Sequence, residues 1–167
     1  SQWQVAISIS PEQAPLETAG GIIQALPRLG DTPFLLVNGD VFTDYPFAQL
    51  REMVPAERGA HIVLVPNPEH HPRGDFALQD GCVGHRLSNQ ALTAELMVAT
   101  YSGIGVYDPA LFFECAPGRR PLKPLLDEAV ARASLSGELY QGLWEDVGTP
   151  DRLTALNQRF PSDSASQ

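Results

Sequence analysis

The sequence has 167 residues, of which 43% are hydrophobic, which is enough for a single domain with a buried core. Its formal net charge is −9 at pH 7 and Lys123 is the only lysine, so a basic surface that would hold nucleic acid is excluded. No apolar run has the length of a membrane span, and Cys82 and Cys115 form neither a metal motif nor a disulfide framework. We therefore expect a cytoplasmic protein without a membrane or nucleic-acid partner.

The first half of the chain predicts strands that alternate with short helices. Alternating apolar residues indicate a half-buried strand in "QVAISIS", and the helix that follows in "GGIIQALPRLG" is expected to stop at Pro27 and Gly30. A continuous apolar run, typical of a parallel strand covered on both faces, occurs in "PFLLVN" and again in "GAHIVLVPN". Between these runs, "PFAQLREMV" predicts a helix with Pro46 in its first turn.

The second half continues the pattern. Asp80 and Gly81 predict a hairpin in "DFALQDGCVGHR", and "ATYSGIGVYDPALFFEC" predicts a strand followed by a short helix. An apolar stripe over 122–133 has helical spacing, and Thr149 is the expected N-cap of a closing helix. We predict one α/β domain over residues 1–160, a Rossmann-like layered fold with a mixed, mostly parallel sheet, followed by a disordered tail at 161–167.

Two aspartates carry the strongest chemical signal. Asp40 follows a buried strand in "NGD", and Asp146 stands at a strand–turn junction in "WEDVGTP". Ligands of open α/β sheets bind at the carboxyl ends of strands, and two carboxylates from distant segments are a common way to hold Mg²⁺ beside a phosphate. Each motif alone is also compatible with an ordinary turn or a helix cap.

Three other features are weaker. Consecutive glycines in "PLETAGGI" offer backbone N–H groups to a base or phosphate, or form a plain helix entry. Gly103 lies inside a strand pattern, where either a bulge or a close ligand would explain it. His70 and His71 are adjacent and lack an evident third ligand, which favours a solvated loop over a metal site.

Four motifs together resemble the sugar-1-phosphate nucleotidylyltransferases, namely "LETAGG", "LLVNGDVFTD", "SGIGVYDPALF" and "GLWEDVGTPDRL". Within this family the chain is most similar to the branch of N-acetylmuramate-1-phosphate uridylyltransferases and mannose-1-phosphate guanylyltransferase-like proteins. The resemblance implies a fold of the nucleotide-diphospho-sugar transferase type, and as substrates a nucleoside triphosphate (UTP or GTP) and a sugar 1-phosphate. It implies a role for each of eight residues. Asp40 and Asp146 would bind Mg²⁺ and take part in catalysis, Thr18, Gly20, Gly21 and Asn38 would bind the nucleotide, and Gly103 and Trp144 would bind the sugar.

One part of the family pattern is missing. The family opens with a strand and a G-x-G-x-R loop that holds the triphosphate, whereas "SQWQVAISIS" matches the family's third strand region. The resemblance therefore implies a truncated domain, incomplete at the N-terminus, with little or no activity. It also implies an exposed sheet edge through which two copies are expected to form a homodimer.

Two other functions remain open. A metal-dependent glycosyltransferase of related fold also places acids after a buried strand, although "NGDVFTD" lacks the tight Asp-x-Asp spacing expected there. A non-catalytic module that binds nucleotide sugars is favoured by the missing phosphate loop.

Overall fold

The computed structural model describes residues 5–86 and 96–160. Three helices and eight strands occur in these ranges, with two short 3₁₀ helices at Phe47–Leu50 and Pro109–Phe112. In chain order the elements are α1 (Glu17–Leu29), β1 (Phe34–Val37), β2 (Val41–Thr43), β3 (Ala60–Val65), β4 (Phe76–Gln79), β5 (Cys82–His85), β6 (Met97–Tyr107), α2 (Lys123–Ala131), β7 (Leu135–Leu139), β8 (Trp144–Asp146) and α3 (Pro150–Arg159).

Six strands form one mixed sheet in the order β1-β6-β3-β7-β5-β4, and β2 and β8 form a separate two-stranded sheet. The layered α/β class and the mixed sheet are confirmed. The share of parallel pairing is lower than the sequence predicts, because β3–β7 is the one parallel pair among the described residues. The physical reason is the position of β6. It lies between the two apolar strands β1 and β3 and pairs antiparallel with both, so they point the same way without pairing with each other.

The core lies on both faces of this sheet. Ile62 and Leu64 of β3 pack with residues of α1 and α2 in the larger cluster, whereas Val63 points to the other face and packs with Tyr45 and Ile104. This alternation follows from the two-residue period of a strand. Together the two clusters bury β3 completely, which confirms the sequence prediction for this strand.

Two predictions about strands are wrong. Residues 5–10 form no strand, and Val5, Ile7 and Ile9 are 57%, 76% and 76% exposed. An alternating pattern selects the face that a strand would bury, but forming the strand also requires a neighbour with which to share hydrogen bonds. The β1 strand forms, but it is not covered on both faces, because Leu35 and Val37 remain more than two-fifths exposed.

Other boundaries differ in smaller ways. Helix α1 continues through Pro27 and ends at Leu29, and the helix expected after Pro46 is reduced to the 3₁₀ turn at Phe47–Leu50. Strand β7 was missed, since "LSGEL" is short and half polar. The predicted hairpin between β4 and β5 is confirmed, with Asp80 and Gly81 both at positive φ. The predicted tail at 161–167 lies outside the described residues.

Candidate active site

The pairing of β2 with β8 brings the two predicted acids together across 106 positions of sequence. Asp40 directly precedes β2, and Asp146, the last residue of β8, lies opposite Val41. The N–H of Val147 donates to the carbonyl of Asp40 at 2.8 Å, which fixes the two backbones side by side. A short antiparallel ladder is therefore what positions both carboxylates.

Gly148 shows how close these carboxylates are. A methyl group on Gly148 would lie 2.7 Å from Asp40 Oδ2 and 3.1 Å from Asp146 Oδ1. The two oxygens can therefore be no farther apart than the sum of these distances, about 6 Å. We call the space that this methyl group would fill the Gly148 cradle. Both acids border it, and no side chain larger than hydrogen fits there without displacing a carboxylate.

A bulge in β6 holds the segments that carry the acids. Its register against β3 shifts between Val63 and Leu64, and Gly103 has a φ of +80° that favours glycine. The carbonyl of Gly103 accepts the N–H of Asn38 at 2.8 Å, and the preceding carbonyl of Ser102 accepts Nε1–H of Trp144 at 2.9 Å. Two consecutive carbonyls thus anchor the loop before Asp40 and the strand before Asp146.

The bulge also explains Gly103 without a ligand. A methyl group there would approach Nδ2 of Asn38 to 2.8 Å, so both the backbone angle and the packing require glycine. The hydroxyl of Ser102 donates to the carbonyl of Val63 at 2.7 Å and accepts the N–H of Ile104 at 3.2 Å. This hydroxyl is therefore committed to the backbone and is not placed as a nucleophile.

Five of the predicted site residues line one cavity of about 280 Å³, namely Asn38, Asp40, Gly103, Trp144 and Asp146. Thr18 lines a second cavity of about 390 Å³, and the two cavities share Asn38 and Tyr101 in their walls. The structure thus brings these six residues together along two adjoining cavities.

Gly20 and Gly21 lie inside α1 and line neither of these two cavities. The N–H of Gly20 donates to the carbonyl of Arg120 at 3.2 Å, and a methyl group there would collide with the carbonyl of Gly118. A methyl group on Gly21 would lie 2.7 Å from the carboxylate of Glu12. Close packing against backbone accounts for Gly20, whereas the end of the exposed Glu12 side chain can move away from a methyl group on Gly21. The contact of both glycines with a nucleotide stays a prediction.

The loop with two histidines forms a wall of the smaller cavity, which sequence reasoning missed. His71 Nε2 lies 3.1 Å from Asp75 Oδ1, while Asp75 Oδ2 accepts the N–H of Tyr101 at 2.9 Å. His70 Nε2 lies 3.8 Å from Asp146 Oδ2. The available signal was the position of "EHHPRGD" just after the buried strand β3, the same placement that singled out Asp40 after β1.

Two further side chains at the site were missed. Arg152 donates from Nη1 to Asp146 Oδ2 at 2.7 Å. Tyr101 lies between the cavities, where burial raises the pKa of its phenol well above the usual range, and its hydroxyl is hydrogen-bonded to that of Tyr107 at 2.8 Å. Tyr101 therefore serves as an uncharged wall. In residues 5–86 and 96–160, no group of three or more His, Cys, Asp or Glu side chains is arranged to hold a metal ion.

The fold has counterparts among solved structures. The chain superposes on the HddC protein of Yersinia pseudotuberculosis complexed with GMP-PN with a TM-score of 0.64, covering 89% of this chain and 64% of that one. It superposes with a TM-score of 0.66 on a Bacillus anthracis protein provisionally assigned as a glucose-1-phosphate thymidylyltransferase, covering 94% and 65%. Sequence identity is 16% in both cases, so these likenesses establish the fold of nucleotide-diphospho-sugar transferases.

Sequence relatives identify the family within that fold. The chain is 43% identical over 161 residues to an N-acetylmuramate alpha-1-phosphate uridylyltransferase of Neisseria meningitidis, covering 92% of this chain and 66% of that protein. It is 30% identical to a mannose-1-phosphate guanyltransferase of Aspergillus fumigatus, covering 92% and 44%. These relatives place the chain in the family of sugar-1-phosphate nucleotidylyltransferases. The chain spans less than two thirds of the length of either relative, and no protein-family model matches it.

The described residues also bear on membrane association. Across 5–86 and 96–160, none of the helices combines the length and the apolar character needed to span a bilayer.

Proposed function

We propose that this chain carries the acidic half of a site for nucleotidyl transfer, and the observation that carries the proposal is the pair Asp40 and Asp146 at the Gly148 cradle. In this reaction an oxygen of a sugar 1-phosphate attacks the α-phosphorus of a nucleoside triphosphate. A new P–O bond forms, the bond to the β-phosphate oxygen breaks, and pyrophosphate leaves with the nucleotide sugar as product. No covalent enzyme intermediate is needed, which agrees with the committed hydroxyl of Ser102.

The residues fit a magnesium ion. Asp40 and Asp146 would hold it, because both carboxylates line the same cavity and each presents an oxygen toward Gly148, the two oxygens being no more than about 6 Å apart. Mg²⁺ is usually bound by one or two carboxylates, with the remaining positions taken by phosphate oxygens and water. When bound, the ion would neutralise the charge that develops on the phosphates.

The chain's own residues would then position the two substrates. Asn38 lines both cavities and Gly103 lines the smaller one, which suits contact with the phosphates that join nucleotide to sugar. Trp144 lines the smaller cavity, where the sugar is proposed to lie. Thr18 lines the larger cavity, and the nucleotide is proposed to bind there, along α1 with its Gly20 and Gly21.

The first substrates to test are UTP and N-acetylmuramate 1-phosphate, because the bacterial relative bears the name of that reaction. GTP with mannose 1-phosphate is the alternative, from the name of the fungal relative. Nucleoside triphosphates are cytoplasmic metabolites, and we propose that the protein acts in the cytoplasm.

Calorimetric titration tests the metal site directly. UTP is titrated into the chain with and without Mg²⁺, using Asp40→Asn and Asp146→Asn, with Asp80→Asn as the matched control in the hairpin turn. We expect Mg²⁺-dependent binding that weakens at least about tenfold in the first two variants and is unchanged in the third. Equal affinity of Asp40→Asn and the wild type would refute the assignment.

Pyrophosphate release, measured in parallel, separates two functions. Turnover with a sugar 1-phosphate supports nucleotidyl transfer by the chain itself, whereas binding without turnover supports the non-catalytic module. The carboxylates of Asp40 and Asp146 line the smaller cavity, and Lys123 is the only lysine of the chain. We therefore expect slow turnover at most.

We also propose that the open edge of β1 is a contact between two copies. Among the described strands β1 pairs only with β6, and Leu35 and Val37 are 45% and 41% exposed beside it. Unpaired apolar edges recruit further strands. Sedimentation should show a dimer that Val37→Lys dissociates, and a monomeric wild type would refute this contact.

A further inference from the structure

Arg152 is the cation that contacts the acid pair in the described part of the chain. Its Nη1 donates to Asp146 Oδ2 at 2.7 Å and to His70 Nε2 at 3.0 Å, and its Nε donates to Thr149 Oγ1 at 3.1 Å. The other oxygen of Asp146 accepts the N–H of Gly148 at 2.8 Å. Both oxygens of this carboxylate therefore already have protein donors.

The guanidinium also borders the Gly148 cradle. Its Nη2 lies 3.7 Å from the position of a methyl group on Gly148, the same point that lies 2.7 Å from Asp40 Oδ2. The positive charge thus stands within a few ångströms of both carboxylates. About a third of the Arg152 side chain is exposed, so it has room to turn outward into the cavity or solvent.

The helix itself does not explain this arrangement. Arg152 lies in the first turn of α3, where the positive end of the helix dipole disfavours a cation and favours an acid such as Asp151. Thr149 already caps the helix through the backbone N–H of Arg152. The placement of a guanidinium here is instead accounted for by its ion pair with Asp146.

We propose that Arg152 is an internal counter-ion of the acid pair that competes with a divalent cation and thereby sets the cation affinity of the site. This inference rests on the proposed function, because it concerns the same two carboxylates. A divalent ion held by Asp40 and Asp146 would lie beside the guanidinium and be repelled by it. Binding the ion therefore requires Arg152 to give up part of its contact with Asp146, and Arg152 acts as a positioning residue that is not itself a ligand.

The test is the affinity for Mn²⁺ alone, followed by the electron paramagnetic resonance signal of the free ion. Arg152→Met keeps much of the aliphatic stem and removes the charge. We expect it to bind Mn²⁺ about three- to tenfold more tightly than the wild type, as estimated from the Coulomb energy of like charges a few ångströms apart in a largely solvated site. Arg152→Lys restores a cation and should return the affinity toward that of the wild type.

Arg159→Met is the matched control. Arg159 lies on the same helix and pairs with Glu145, the neighbour of Asp146, at 2.5 Å, so this change removes the same charge outside the cradle. We expect at most a small effect on Mn²⁺ affinity. Circular dichroism and thermal midpoints of all variants confirm that each is folded.

The possible outcomes separate this inference from the proposed function. If the wild type binds Mn²⁺ and Arg152→Met gains no more affinity than Arg159→Met, the counter-ion inference is wrong while the metal site stands. If Arg152→Met binds more weakly, Arg152 supports the site and does not compete. If neither protein binds Mn²⁺, both the metal site and the inference are overturned.

Discussion

Replacing Gly148 by alanine is the sharpest perturbation of the acid pair. The new methyl group would lie 2.7 Å from Asp40 Oδ2 and 3.1 Å from Asp146 Oδ1, and ordinary carbon–oxygen contacts are a few tenths of an ångström or more longer. The carboxylate of Asp40 must therefore move by roughly half an ångström or more. Gly148 is not among the described glycines at positive φ, so its backbone accepts alanine without strain.

The expected consequence is a loss of cation binding at nearly unchanged stability. Mg²⁺ demands near-ideal octahedral geometry with oxygen ligands about 2.0–2.1 Å away, so displacing one of two carboxylates weakens the site by about 10–100-fold, as for disturbed metal sites generally. The clash involves a mobile carboxylate, and alanine restricts the unfolded chain more than glycine does. The free energy of unfolding should therefore change by less than about 1 kcal/mol.

Mn²⁺ titration and urea denaturation measure the two quantities on the same samples. Gly84→Ala is the control, because a methyl group at that strand position meets no atom within 4 Å. The reasoning is refuted if Gly148→Ala folds like the wild type and still binds Mn²⁺ with wild-type affinity. Asp40 and Asp146 beside Gly148 would then not be the ligands of the cation.

Two further predictions concern stability. Gly103→Ala should lower the free energy of unfolding by about 2 kcal/mol, because alanine would be forced into a left-handed φ and into contact with Asn38. Gly84→Ala should leave the free energy of unfolding unchanged, and equal urea midpoints of the two variants would contradict the prediction. Burial lowers the pKa of His61 in the folded protein below its value in the unfolded chain, which is near 6.5. The contribution of His61 to the free energy of unfolding is therefore complete above the unfolded pKa and is lost as the pH falls toward the folded pKa. The free energy of unfolding should therefore decline between pH 7 and pH 5 less steeply in His61→Gln than in the wild type, and parallel curves would show that His61 has no such role.

Much of the site was predictable from local sequence. Asp40 directly follows Gly39 after β1, and Asp146 ends β8 two residues before Gly148, a context that local pattern reveals without knowledge of the fold. Their approach to each other could not be derived in that way, since it depends on the three-residue ladder between β2 and β8. The resemblance to a family supplied that pairing indirectly, through the order and spacing of the motifs.

The incorrect predictions share one physical origin. A sequence pattern describes a single segment, whereas the pairing of a strand depends on the segments that lie beside it. The apolar sequence of β1 predicts a buried strand, yet in the described structure β1 lies at the edge of the six-stranded sheet. The alternating residues 5–10 pair with no strand in the described part of the chain. Gly20 illustrates the same limit for function. Its pattern suggested room for a ligand, but the carbonyl of Gly118, almost a hundred residues away in sequence, lies against it.

The β6 bulge connects these observations about the acid pair. A regular strand would turn the carbonyls of Ser102 and Gly103 to opposite edges and pair them with strands. In β6 two residues, Ser102 and Gly103, have no partner on β3: the carbonyl of Gly103 continues the β1 ladder to Asn38, and the carbonyl of Ser102 is left for Trp144. Asn38 and Trp144 stand two residues before Asp40 and two residues before Asp146. The separation of the carboxylates is therefore determined by two adjacent peptide units as well as by the β2–β8 ladder. Because one irregularity in a central strand fixes both acid segments, a change at the bulge should disturb the cation site together with the fold, whereas a change at Gly148 should disturb the cation site alone.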